Sequence, residues 1–377
     1  MFMALLTSCE KSSKHGIVLN ELQLKFGNNC VIENVKTKEY ALDSVSLNII
    51  NYMQIVNMDS LMLLTFQNTI DNSLYIYNYE STDLLQKIKF DSSIPKILGY
   101  NYINNDSIFI YSYNRHKLYL SNKDSEIASE RIVYYPPTSV EDIIYPSPYL
   151  MTVAPLSFFK NKIVTVGFVS GETEFETDYN RPVIVQLDLE NGNLQHMLNY
   201  PNQYTSYNWG GGFAYRMPYY NIVNNNMYVS FSAHHYLFKI NLLTNEKTEH
   251  YAGSRHINEI GSFPHEKTKP ISSEDEWEWY MNTPSYEGIF YDRYQDLYYR
   301  VARLPVQKYN KDEKYNNKPI IVIVLDTNLN YLGEIELPTD IMLNSFNSFV
   351  SEDGFNIQAY TNNEDMLTFY QYKIKIQ

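Results

Sequence analysis

Between Asn226 and Gly253 the chain alternates apolar and polar positions in three short runs. Met227 to Ser232 and Tyr236 to Leu242 are joined by a polar link, and Thr244-Asn245 turns the chain into a third run, Lys247 to Tyr251. Period-two alternation broken by turn residues predicts an antiparallel meander. The same grammar recurs along the chain. A polar pair precedes an apolar run at Asp59-Ser60, Asp106-Ser107, Asn161-Lys162, Asn225-Asn226, Gln295-Asp296 and Asp353-Gly354, which gives six units. Their inner strands are predicted at Asn48 to Ile55, Ile97 to Ile103, Met151 to Phe158, Phe213 to Val223, Tyr286 to Tyr291 and Ser345 to Val350. Third and outer strands follow, such as Lys117 to Ser121 and Ile127 to Tyr134 in the second unit. The last unit runs out of sequence after its third strand, Met366 to Lys373. Its fourth strand is therefore expected from Ile17 to Leu24 or from Val31 to Val35.

A lone four-stranded meander cannot bury both of its faces, whereas meanders stacked around an axis bury each face against a neighbour. The predicted fold is all-β: a six-bladed β-propeller of four-stranded antiparallel blades, one domain over residues 17–377, its ring closed by an N-terminal strand. The longest insertion, Ser254 to Thr283, joins the fourth unit to the fifth. Within it Ser273 and Glu276 have capping-box spacing, which predicts a short helix from Glu274 to Met281.

Composition agrees. The chain holds 36 Tyr against 14 Gly, which suits pleated, half-buried surfaces. A net charge of −13 opposes sequence-independent nucleic-acid binding, which needs clustered cations to displace counterions. No run approaches the length of a membrane-spanning helix.

The first residues carry an address. Leu6-Thr7-Ser8-Cys9 has the form of a bacterial lipobox, with Leu three positions before the Cys and a small residue directly before it. Residues 1–8 then read as residual lipoprotein signal, though without a basic start and with a short apolar stretch, and residues 9–16 as a polar tether. Cys9 is the expected lipidation site, and acyl chains on it would anchor the chain to a membrane. Glu10 rather than Asp follows the Cys, which by analogy with other lipoproteins points to the outer membrane. Cys30 is left without a disulfide partner and reads as a buried strand residue.

The LTSC start, the Tyr- and Asn-rich meanders, the WGGGFAYR segment from Trp209 to Arg216 and YEGIFYDRYQDLYYR from Tyr286 to Arg300 together resemble a domain-of-unknown-function family of bacterial lipoproteins with a TolB-like six-bladed propeller fold. The resemblance covers nearly the whole chain. It implies the fold and the export route, and no catalytic residue.

Candidate chemistry gathers where a propeller lines its channel. Three glycines after Trp209 free the backbone at the start of an inner strand. Tyr215 or Arg216 is then expected to face the channel, with Tyr52, Tyr100 and Tyr286 at its mouth. An Arg among tyrosines can hold a carboxylate or a sugar acid; the alternative is that Arg216 pairs with a carboxylate of the next blade. Trp277 and Trp279 cannot share one helix face, so one is expected to pack on the propeller and the other to face out; Trp209 and Trp279 join the residues expected to bind a ligand. Neighbouring His234 and His235 point to opposite faces of a strand and are poorly placed to share a metal. Glu172, Glu174, Glu176 and Asp178 read as a solvated hairpin face. No GxSxG, HExxH, P-loop or GxGxxG motif occurs. No cofactor, metal site or catalytic residue is assigned. The leading expectation is a binding module for an envelope protein, glycan or peptide; the alternative is a polysaccharide hydrolase or lyase acting at the channel mouth.

Overall fold

A computed structural model describes residues 16–22, 29–58, 61–136, 145–168, 181–210, 213–264, 272–307, 309 and 317–377. Six antiparallel sheets follow one another along the chain, each wound from an inner to an outer strand. Blade I comprises Met53–Met58, Leu61–Asn68, Ser73–Asn78 and Leu84–Lys89. Blade II comprises Ile97–Asn104, Ser107–Ser112, Lys117–Ser121 and Ile127–Ile132. Blade III holds Ser157–Phe159, Lys162–Phe168, Pro182–Asp188 and Leu194–Asn199, with Ser147–Pro148 added beside its second strand. Blade IV is Tyr219–Val223, Asn226–Ser230, Tyr236–Asn241 and Lys247–Tyr251. Blade V is Ser285–Asp292, Leu297–Arg303, Ile320–Leu325 and Tyr331–Glu336. Blade VI joins Met342–Ser351, Gly354–Tyr360 and Met366–Ile376 to the N-terminal strand Cys30–Ala41.

The ring closes as the sequence predicts, and of the two candidate segments the second supplies the strand. Cys30–Ala41 pairs in antiparallel register with the last strand, from Cys30 against Ile376 to Ala41 against Met366. The first segment goes elsewhere, with Ile17–Leu19 pairing with Glu259–Gly261 of the insertion. Burial, with Glu334 nearby, pushes the Cys30 thiol up to about 11, so it stays protonated and inert.

Middle strands pack against neighbouring blades on both faces, which is why Ile320–Leu325, IIVIVL, is apolar at every position and buried throughout. Arg300, from the second strand of blade V, is fully buried and reaches into blade IV. Its guanidinium donates to the carbonyls of His234, His235, Ala252 and Phe231 and to Ser230 Oγ, while lying 3.9 Å over the Tyr286 ring. Five acceptors offset the desolvation of a cation that has no carboxylate among these partners.

Two predicted inner strands start later than their apolar runs. In blade III, Met151 and Ala154 exchange backbone hydrogen bonds of 2.9 and 3.1 Å around a tight turn, and the strand proper begins at Ser157. In blade IV, Phe213–Arg216 forms a single helical turn ahead of Tyr219. The insertion carries the predicted helix, Ser273–Asn282, but its cap is Ser272, whose hydroxyl accepts from Asp275 N at 3.0 Å, one residue earlier than the Ser273 and Glu276 spacing implied. At the other end Lys318 Nζ donates to Tyr280 O and Thr283 O at 2.7 and 2.5 Å, placing a hydrogen-bond donor where the helix carbonyls point. Burial lowers the Lys318 pKa well below the usual lysine range, with Arg303 adding to it.

Candidate functional site

Every inner strand runs in the same sense along the central axis. At one end the chain arrives from the previous blade; at the other it turns into the second strand. The two ends are built differently. The turning end opens into a cavity of about 590 Å³, lined by residues of all six blades.

Its floor is the Met151–Ala154 turn, which is tied to the ring from several sides. Thr152 Oγ1 donates to Asn347 Oδ1 of blade VI at 2.7 Å and accepts from Met53 N of blade I at 3.1 Å. Val153 O accepts from Tyr220 N of blade IV at 3.2 Å, and its side chain packs so close to Gly288 of blade V that a Cβ there would lie 3.0 Å from Val153 Cγ1. The channel is therefore a blind cup.

The wall mixes side-chain amides and hydroxyls, among them Gln54, Asn57, Asn101, Asn221 and Ser157, with apolar patches from Ile55, Phe158, Ile289 and Phe349. Arg293 is the one charged group among the described residues lining it. A local device presents it. Asp292 is buried, and its carboxylate accepts from Tyr294 N, Gln295 N and the Tyr299 hydroxyl at 2.8, 3.1 and 2.8 Å. That Asx-type turn pins the backbone and leaves Arg293 and Tyr294 exposed at the rim. Arg293 Nη2 donates to Asn57 Oδ1 at 2.8 Å and to Tyr294 OH at 3.2 Å.

The arriving end is filled. Trp209 is fully buried, donates from Nε1 to Gln203 O at 3.0 Å, and packs between Tyr204 and Tyr215. Tyr215 is also buried; it donates to Pro284 O at 2.8 Å and meets the Trp279 ring at 4.5 Å. Gly210 has φ +72°, and a Cβ there would collide with Glu276 of the insertion helix, so this glycine serves a close approach. Gly211 and Gly212 lie outside the described residues. Arg216 is 5 % exposed, and its carbonyl accepts from Tyr200 OH at 2.7 Å. Deeper in, Arg303 Nη1 donates to Ser345 Oγ at 2.8 Å, Ser345 bonds the buried Glu287 carboxylate, and Tyr219 packs on Phe346.

The predicted mouth residues thus lie away from the cup. Tyr52 OH donates to Tyr100 O at 2.7 Å and accepts from Leu156 N at 3.0 Å. Tyr100 OH bonds Thr65 Oγ1 at 2.8 Å. Tyr286 OH meets His235 Nδ1 at 2.8 Å and accepts from Ser254 N at 3.0 Å. Side chains stand perpendicular to a strand, so bulky rings on inner strands go into the gaps between blades. Trp279 packs on Tyr215 and Phe263, leaving Trp277 as the outward-facing tryptophan. His234 and His235 are each pushed down to about 4 by burial, with Arg300 adding to it, and stay neutral. Cys9 and the acidic stretch Glu172 to Asp178 lie outside the described residues. Among the described residues no cluster of His, Cys, Asp or Glu is arranged to hold a metal, and no helix is long and apolar enough to cross a membrane.

Sequence reasoning missed the rim. Asn57, Asn224, Arg293 and Tyr294 lie at or beside turns between first and second strands. The only signal was positional: in a ring of meanders, those turns all meet at one end of the axis.

Six four-stranded blades around a closed axis, with one end sealed and the other a cup, define a six-bladed β-propeller. The chain belongs to the DUF4221 family, a domain of unknown function, which matches residues 28–336. A crystal structure of a DUF4221 member from Bacteroides vulgatus superposes with a TM-score of 0.76 at 19 % identity, covering 93 % of this chain and 99 % of that one. A protein of Bacteroides fragilis named as exported gives a TM-score of 0.51 at 10 % identity over 92 % of this chain and 97 % of that one. At these identities the likeness shows the fold. No curated protein matches the chain.

Proposed function

We propose that this propeller is a lipid-anchored binding module of the bacterial cell envelope, placed at the outer membrane, whose ligand enters the cup at the turning end of the axis. The observation that carries this reading is the blind cavity of about 590 Å³ into which all six blades contribute. That volume falls in the range of about 300–1,000 Å³ usual for ligand sites. Amides and hydroxyls dominate its polar lining, and no Asp or Glu lines it among the described residues. A glycoside hydrolase needs two carboxylates flanking the scissile bond, so the lining favours recognition over hydrolysis. The anchor fits the same picture. Gly16 hydrogen-bonds Ser262 Oγ at 2.8 Å, and Asn20 accepts from Tyr251 OH at 2.7 Å, contacts that lie at the sealed end. A tether running from lipidated Cys9 to Gly16 would hold the cup facing away from the membrane.

Two measurements test this. Asn221→Trp, which fills the cup, should abolish capture of whatever the parent binds on a glycan array or by pull-down from solubilised envelopes. Cys9→Ala should abolish acyl labelling in a bacterial host and release the protein from the membrane fraction. Ligand capture unaffected by Asn221→Trp would place binding elsewhere; a Cys9→Ala protein still membrane-bound and labelled would remove the anchor.

A further inference from the structure

Resting on the reading of the cup as the binding site, we infer that its ligand is a saccharide carrying a carboxylate, with the acid held at the rim by Arg293 and the neutral hydroxyl-bearing body lodged below. The charge distribution is the first argument. The chain carries a net charge of −13, yet the one charged group among the described residues lining the cup is a cation. A guanidinium in such a position selects an anion against the general field of the protein.

The geometry of that guanidinium is the second. Its Nη2 is steered by Asn57 Oδ1, and the ring of Tyr294 lies 5.2 Å from its central carbon. No carboxylate pairs with Arg293 among the described residues. Nε and Nη1 keep N–H groups with no partner among the described residues, and each can donate a charge-assisted hydrogen bond to a carboxylate oxygen that approaches its own side of the guanidinium. Tyr294, 43 % exposed beside it, offers a ring face on which a pyranose can stack.

The third argument is what lies beneath. Asn221 and Asn224 border the cup, and no side-chain hydrogen bond occupies either amide among the described residues. An amide both donates and accepts, which matches sugar hydroxyls, themselves donors and acceptors. Ile289 and Phe158 supply apolar wall for the C–H faces of a sugar ring. With no second charge in the lining among the described residues, the body of the ligand is neutral. An acidic peptide offers fewer groups to those amides and is the competing class.

Titration calorimetry on the purified chain separates the possibilities, using oligogalacturonate, oligoglucuronate, neutral oligosaccharides of matched length and a Glu-rich peptide. Uronate oligomers should bind, and more weakly as salt rises. Arg293→Gln should weaken them about tenfold or more while leaving the melting temperature unchanged, because Arg293 is exposed. Asn224→Ala should weaken them too. Neutral oligosaccharides that bind as tightly as uronates, with no response to Arg293→Gln, would overturn the acid assignment and leave the cup as the site. Binding of the peptide alone would overturn the saccharide class. No binding of any probe, together with envelope capture insensitive to Asn221→Trp, would remove both this inference and the site on which it rests.

Discussion

The two ends of the propeller axis are made from the same six inner strands and differ in almost everything else. At the sealed end, Trp209, Tyr215, Trp279, Tyr219 and Phe346 interlock, and several polar groups are committed there: Lys318 to helix carbonyls, Ser345 between Arg303 and Glu287, Arg300 to five acceptors, whereas Arg303 Nε and Ser285 Oγ are buried without a hydrogen bond. At the open end the rim residues make few contacts, and Asn57, Arg293 and Tyr294 bond mainly one another. Committed polar groups cost stability when one partner is removed. Uncommitted ones can be removed with little effect on the fold, which is what a ligand site requires of its lining.

The largest effect expected from this contrast is at Arg300. Arg300→Leu would leave the carbonyls of His234 and Ala252 without a donor, while those of His235 and Phe231 would keep the backbone N–H groups of Ala252 and His234. Two unpaired buried carbonyls at about 1–3 kcal/mol each put the loss at about 4 kcal/mol, read as a fall in the urea midpoint. A loss below about 1 kcal/mol would mean that the sealed end is less tightly committed than its hydrogen bonds imply.

Much of this contrast was legible in the chain, and the unread part has a physical reason. Blade order, ring closure by an N-terminal strand and the insertion helix follow from alternation, turn residues and capping, all of which are local signals, whereas the choice of Cys30–Ala41 over Ile17 to Leu24 as the closing strand does not. The Met151–Ala154 turn was not legible. MTVAPLSFF reads as a continuous apolar run, and only the packing of four other blades around Thr152 and Val153 decides that its first half plugs the axis instead of pairing as a strand. The chemistry was sought among large aromatics and Arg216, the most conspicuous residues. Burial claims such residues first, since a ring that can fill an inter-blade gap gains about 1.5–3 kcal/mol by doing so. Trp209, Tyr52, Tyr100 and Tyr286 accordingly went to the interior. Residues too polar to bury, at turns, were left for the rim.

An intermediate effect is expected at the buried histidines. His235 is held near 4 in the folded chain, against about 6.5 when unfolded. A folded pKa below the unfolded one means that the unfolded chain takes up the proton first as pH falls. The contribution is therefore complete above pH 6.5 and is lost progressively down to about pH 4, a swing on the order of 2–3 kcal/mol. His235→Gln should lower stability modestly at pH 7.5 and flatten the decline across that window. Urea unfolding at half-unit pH steps reads it, and a slope unchanged from the parent would show that other groups set the acid limit.

The smallest effect is the one that most sharpens the comparison. Asn224→Asp, which keeps a residue type that tolerates the left-handed φ of 55° there, and Tyr294→Ala change exposed rim side chains that support nothing beneath them, and surface substitutions of this kind shift stability by less than about 0.5 kcal/mol. Thr152→Val, only a short distance deeper, removes the hydroxyl that joins Asn347 to Met53 N and should cost about 1–2 kcal/mol. Unfolding curves for the three variants therefore trace the boundary between scaffold and site. If the rim variants cost as much as Thr152→Val, the open end is part of the scaffold, and its lining is held for stability instead of for a ligand.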